Sequence, residues 1–200
     1  MAILSCISLK KSLLPVTFSL SCLFGFIGCS NEQSVNTAAS IQQVKPIVET
    51  KADDARFLVR AAEFKWNVIM LSKLASRRSG NDEVRLLSQT LENANRESKS
   101  SLGSLAVTKS IRVPYEPTQA ANDAYTKLNE SSIEDFDIAY CTMIIQDHKD
   151  AIALFEGASY ENLDAGIKSW ASSILPELRN HLSKAVECET HLNPMSELVK

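Results

Sequence analysis

The chain is 200 residues long, 44% apolar and 22% charged, with a net charge of −3. These proportions give one globular domain with appendages and a core of real size, and no repeat period marks a solenoid. A mildly acidic chain without clustered basic residues is a poor partner for nucleic acid or for anionic lipid head groups.

Residues 1–28 differ from the rest. Lys10 and Lys11 precede an apolar run from Leu13 to Ile27 that closes in Phe26-Ile27-Gly28-Cys29. A short apolar segment behind basic residues, stopping at a small residue, reads as an export signal rather than a spanning helix. Its ending resembles the lipobox of bacterial lipoproteins, with Phe26 where leucine is usual. The resemblance implies that Cys29 is lipidated, palmitate included, and becomes the new N-terminus. Ser30 in place of an aspartate then implies a cell outer membrane location, with the domain on the periplasmic side. An ordinary signal peptide cut nearby, or an anchor that stays, is the alternative. Removing residues 1–28 takes two lysines and no acidic residue, so the chain becomes two units more negative. Cys6 and Cys22 leave with the signal, and Cys29 carries lipid. Cys141 and Cys188 remain as thiols in a compartment where a bridge can persist.

Residues 29–51 are rich in Ser, Asn, Gln and Thr, contain Pro46 and lack a sustained apolar period. They read as a flexible tether with a reach on the order of 25 Å. The four-helix domain is expected over 52–192, with 193–200 as a C-terminal tail. The first predicted helix runs from about Asp53 to Arg78, with a seam of Phe57, Ala61, Phe64, Val68, Leu71 and Ala75. The second starts at the N-cap candidates Asn81 or Asp82 and continues to about Lys109. Its seam is Val84, Leu87, Leu91, Ala94, Ser98, Ser101 and Leu105.

Pro114 and Pro117 mark a long connection, with a short helix around Ala120 to Leu128. The third predicted helix, Ser132 to Ala158, opens with Ser131 and Glu134 at capping-box spacing. The fourth, Ala165 to His191, carries Ile167, Ala171, Ile174, Leu178, His181, Ala185 and Cys188 along one face and is kinked at Pro176. Short, long and short connections are the pattern of an all-α, ferritin-like four-helix bundle, in which one long crossover joins two antiparallel hairpins.

The last two helices carry the chemistry. Cys141, His148 and Phe155 are spaced by seven, as are Ile174, His181 and Cys188. That spacing returns a residue to nearly the same helix face. Folding the hairpin around residues 159–165 sets Cys141 against Cys188, His148 against His181 and Phe155 against Ile174.

Several stretches resemble an uncharacterised bacterial family, the domain of unknown function 4142 family. They are Asp54-Ala55-Arg56-Phe57 with Ala61-Ala62, Leu71 to Ala75, Tyr140 to Glu156, and Leu175-Pro176 with His181-Leu182. The resemblance covers about Asp53 to Cys188, well in its second half and loosely in its first. It implies an exported, ferritin-like four-helix domain of the kind called predicted outer-membrane proteins. This chain departs from the family at Val68, where a glutamate is usual, and at Ala94-Asn95, where an Asp-His pair is usual. Asp147-His148 and His181 keep the pattern.

A di-iron carboxylate centre needs Glu-x-x-His motifs that the chain lacks. Glu177 and His181 are one turn apart and, with His148 from the neighbouring helix, form a ligand set suited to zinc or copper. The alternative is that both histidines are hydrogen-bonded core residues. Asp147 either supports such a site from behind or faces solvent. For Cys141 and Cys188 the readings are a disulfide, two buried thiols, or a soft metal site. No nucleophile elbow or phosphate-cradling loop is present. The expectation is a lipid-anchored envelope protein with a non-catalytic binding or structural role. Its partners are the membrane, through the N-terminal lipid, and an envelope protein. The alternative is an envelope zinc or copper protein.

Overall fold

A computed structural model describes residues 37–160 and 163–193, with side chains described from residue 51 onward. The expected signal segment, Cys29 and the tail beyond residue 193 lie outside the described residues. Five helices account for the described chain, and among the described residues there is no strand: α1 (Thr37–Arg78), α2 (Asp82–Thr108), α3 (Gln119–Asn129), α4 (Phe136–Gly157) and α5 (Ala165–Leu192).

Side-chain pairs give the direction of each helix. Phe57 packs against Phe155 with ring centroids 5.3 Å apart, Asn67 bonds Asp147 at 2.6 Å, and Ser72 bonds Tyr140 at 2.9 Å. Numbers rise along α1 as they fall along α4, so these helices are antiparallel. Trp170 donates to Ser101 at 3.0 Å and His191 meets Glu83 at 3.0 Å, which makes α5 antiparallel to α2. The tight turn from Arg78 to Asp82 reverses α1 into α2. Accordingly α2 and α4 run in the same direction, and the segment between them has to return along the length of the bundle.

The contacts trace that return. Lys109, after α2, pairs with Asp164 at 2.7 Å beside the start of α5. Midway, Trp66 donates its indole N–H to the Pro114 carbonyl at 3.2 Å. At the far end the Arg78 guanidinium donates to the carbonyls of Leu128, Asn129 and Ser131, and it covers the Phe136 ring at 4.6 Å. One cation thereby satisfies the C-terminal carbonyls of α3 and fastens α1 to the start of α4. Two hairpins and one traversing crossover make the ferritin-like arrangement expected from the connection lengths.

Local chemistry accounts for the helix ends. Asn81 Oδ1 accepts from the N–H groups of Glu83 and Val84 at 2.8 and 3.1 Å, a side-chain N-cap. Helix α4 begins later than expected, at Phe136: its N-cap Asp135 makes no side-chain cap bond, and Ser132 Oγ accepts from Asp135 N at 3.1 Å in the turn ahead of it. Pro176 does not end α5, because Ser172 and Pro176 both lie on the exposed face, where the freed carbonyl is open to solvent. The largest difference is at the front. Helix α1 begins at Thr37, so most of the segment read as a tether is helical. Residues 38–52 contain Ala, Ile, Gln, Val, Lys and Glu but no glycine, and this composition sustains a helix despite Pro46.

The core is divided. One apolar cluster joins Val68, Leu71, Leu91, Tyr140, Ile144 and Ala185; the other joins Phe57, Leu58, Leu102, Phe155, Ile167 and Leu178. Within the first, the Tyr140 hydroxyl is buried and its bond to Ser72 is its partner. Burial pushes the Tyr140 phenol well above its ordinary range, so the hydroxyl stays neutral. Tyr140→Phe is expected to cost about 1–2 kcal/mol by leaving the Ser72 hydroxyl buried without that partner. Adding Ser72→Ala should recover part of the loss in urea unfolding, whereas strictly additive losses would show that the bond contributes nothing.

Candidate functional site

A single polar layer separates the two apolar clusters, and each long helix contributes to it. On α1, Lys65 falls between Ala62 and Val68; on α2, Asn95 and Ser98 fall between Leu91 and Leu102. On α4, His148 falls between Ile145 and Ala151; on α5, Glu177 and His181 flank Leu178, ahead of Ala185. Lys65, Asn95 and His148 are each 0% exposed, so none can reach water by extending its side chain.

The His148 Nδ1 atom lies 2.8 Å from the Ile144 carbonyl, one turn back on its own helix. That contact requires the proton on Nδ1, which turns the Nε2 lone pair toward the interior. The His148 and His181 rings meet edge to face with centroids 5.6 Å apart, and Phe64 closes on His148 at 5.3 Å. The Lys65 ammonium stands 5.0 Å from the Phe64 centroid and 5.8 Å from that of Phe155. Asn95 gives its amide N–H to Leu91 O at 2.9 Å.

Six buried atoms of this layer find no hydrogen-bond partner within the protein: Lys65 Nζ, Asn95 Oδ1, Ser98 Oγ, His148 Nε2, Glu177 Oε1 and His181 Nδ1. Leaving a buried donor or acceptor without a partner costs about 1–3 kcal/mol each, so such a concentration calls for polar company. Electrostatics follow from the burial. Loss of hydration pulls Lys65 down to about 8, with the Glu177 carboxylate opposing the fall. Burial pulls His148 to about 4 against its bond to Ile144, helped by His181 and Lys65. It pulls His181 to about 4 as well, helped by Lys65 and Lys184. At neutral pH the layer therefore holds one ammonium and two neutral imidazoles with lone pairs to offer.

The hairpin register expected from the spacing of seven is present: Cys141 and Cys188 meet at one level and His148 and His181 at another. Phe155 and Ile174 share the second apolar cluster. Among the described residues no three His, Cys, Asp or Glu side chains are grouped to hold an ion. The physical obstacle to zinc or copper on His148, His181 and Glu177 is Lys65, whose ammonium brings positive charge into the same layer. Cys141 and Cys188 are both free thiols with Sγ atoms 3.7 Å apart, beyond the roughly 2.0 Å of a disulfide bond. Near the end of α5, His191 meets the Glu83 carboxylate instead of standing alone.

Beyond the Phe64 ring lies a cleft of about 450 Å³ between α1, α4 and the start of α3, bordered by Arg60, Glu63, Asn67, Asp147 and Asp150. Burial pushes the Asp147 carboxyl up to about 7, against the hydrogen bond it receives from Asn67. Asp147 therefore faces this cleft, while its neighbour His148 faces the interior.

Four long antiparallel helices with one traversing crossover and a charged polar layer define a ferritin-like bundle with a buried polar centre. The chain matches the family described as domain of unknown function (DUF4142) over residues 39–187 and belongs to it. Searches of curated proteins and of solved structures gave no match. Among the described residues no helix is long and apolar enough to cross a membrane.

Proposed function

We propose that this chain is a lipid-anchored cell-envelope protein whose bundle binds a small polar molecule without transforming it. The signal and the lipobox-like ending at Cys29 support the anchor and an outer-membrane location with the domain in the periplasm. The observation that carries the binding role is the set of six partnerless polar atoms enclosed between two apolar clusters. A bundle needing only stability fills such a layer with apolar side chains, since buried polar groups short of partners make it weaker. An ammonium, neutral imidazoles, an amide oxygen, a hydroxyl and a carboxylate oxygen together match a solute that both donates and accepts hydrogen bonds. The cleft lined by Phe64, whose ring packs on His148, gives that solute an approach to the layer.

Native mass spectrometry and elemental analysis of the chain extracted with its lipid test this reading. One non-covalent adduct per chain, lost in a Lys65→Met/His181→Leu variant, supports it. A wild-type chain without adduct overturns it. Stoichiometric zinc or copper that disappears when His148 and His181 become alanine replaces it with metal binding. A Cys29→Ser chain that still sediments with membranes removes the anchor.

A further inference from the structure

The geometry points to Cys188 and Cys141 as a peroxide-reactive thiol pair, with Cys188 attacking and Cys141 resolving, reached through a cavity between α2 and α5. That cavity, about 260 Å³, is bordered by Glu83, Leu86, Leu87, Thr90, Lys184, Glu187 and Cys188. Cys188 belongs to its wall and Cys141 does not. Cys141 lies behind, 0% exposed, and its thiol donates to Cys188 Sγ at 3.7 Å.

Access sets the division of labour, since Cys188 is on the cavity wall and Cys141 lies behind it, and the hydrogen bond between them works in the same sense. A sulfur that accepts a thiol proton is stabilised as thiolate, and the thiolate is the nucleophile. The bond from Cys141 lowers the Cys188 thiol and, with burial, raises the Cys141 thiol, while Glu83, Asp137 and Glu187 act against ionisation of Cys188. Those acidic groups also select the oxidant. With Glu83 and Glu187 against Lys184 alone on the cavity and Cys188 only 1% exposed, an anionic disulfide such as oxidised glutathione is disfavoured by charge and too large, whereas neutral hydrogen peroxide is neither.

The chemistry balances with peroxide as the two-electron oxidant. Cys188 thiolate forms a sulfur–oxygen bond as the oxygen–oxygen bond breaks; the departing hydroxide takes a proton, giving a sulfenic acid and one water. Cys141 sulfur then attacks Cys188 sulfur. The sulfur–sulfur bond forms, the sulfur–oxygen bond breaks, and hydroxide leaves with the Cys141 proton as a second water. Closing the pair brings the sulfurs about 1.7 Å nearer, a displacement within reach of side-chain rotation.

The test exposes the folded full chain to hydrogen peroxide and then maps differential alkylation on the tryptic peptides 128–149 and 185–200, which carry Cys141 and Cys188 separately. The expected product is a single cross-link between these peptides within one chain. Dimedone present during a short pulse is expected to label Cys188 and spare Cys141. In Cys141→Ala, Cys188 is expected to accumulate the sulfenic acid; in Cys188→Ala, Cys141 is expected to resist peroxide. Two alkylatable thiols surviving in the wild type, dimedone first on Cys141, or faster oxidation by glutathione disulfide than by peroxide would each overturn the proposal. The pulse on the wild-type chain decides the order of attack even if a variant fails to fold.

Discussion

Lys65→Met is expected to stabilise the bundle at neutral pH by about 2 kcal/mol, an unusual direction for a fully buried position. The Lys65 ammonium is held at about 8 against an ordinary 10.5, so the folded state releases its proton where the unfolded state keeps it. Between these values the unfolded chain binds more protons, and stability rises with pH. The penalty is fully present below pH 8 and gone above pH 10.5. Converted at 1.36 kcal/mol per unit it amounts to about 3 kcal/mol, with the opposing Glu177 attraction already included, and relaxation around the buried charge brings the expected gain to about 2 kcal/mol. Methionine has similar length and no charge to bury. Urea unfolding of both proteins at pH 7 and pH 10 measures the difference. The advantage of the variant should shrink across that interval. An unstable variant with the same difference at both pH values would show that the ammonium is engaged by a group that stabilises it.

Acid should act on the same layer through its histidines. Each has a folded-state value near 4 against 6.5 when unfolded, so the folded protein prefers both rings neutral. Stability from this source is complete above pH 6.5 and is lost as pH falls toward 4, at about 3 kcal/mol per ring and about 6 kcal/mol for the pair. Asp147 works in the opposite sense. Its carboxyl sits near 7 instead of 3.8, so the folded state binds its proton more readily and gains on acidification across the whole of that range. Asp147 is only partly buried, and two rings outweigh it. Circular dichroism during acid titration should therefore show the helices melting between pH 6.5 and 4. His148→Leu/His181→Leu should keep its helical signal through that interval, because the remaining Asp147 contribution favours folding. An unchanged acid midpoint in the double variant would place the sensitivity elsewhere.

The last hairpin was the most legible part of the sequence, and the reason is geometric. Stripes such as Ile167, Ala171, Ile174, Leu178, His181, Ala185 and Cys188 bury one face without interruption, so residue spacing alone fixes the register. The seam expected for the second helix matches its buried positions as far as Leu91. Beyond it the buried positions are Asn95, Ser98, Leu102 and Ala106, because steps mostly of four follow the natural turn of a straight helix, whereas Ala94, Ser101 and Leu105 assume a tighter repeat. Lys65 is absent from the seam expected for the first helix, because a charged side chain argues locally for solvent. The signal was available: Leu58, Ala61 and Ala62, Val68 and Ile69, and Ser72 keep a helical period, and Lys65 falls inside it. A lysine in that stripe, level with Asn95 and facing two histidines, marks a polar layer that no single helix displays. The early start of α1 was hidden by Pro46 and by the polar content of the segment, both of which argue locally against a helix.

The division of the interior bears on how the molecule breathes. Two oily halves meet across a plane of polar groups, joined there by four continuous backbones and by the Phe64 ring, which packs against both. Loosening at this plane exposes hydrophilic groups rather than grease and carries a smaller solvation penalty than opening either half.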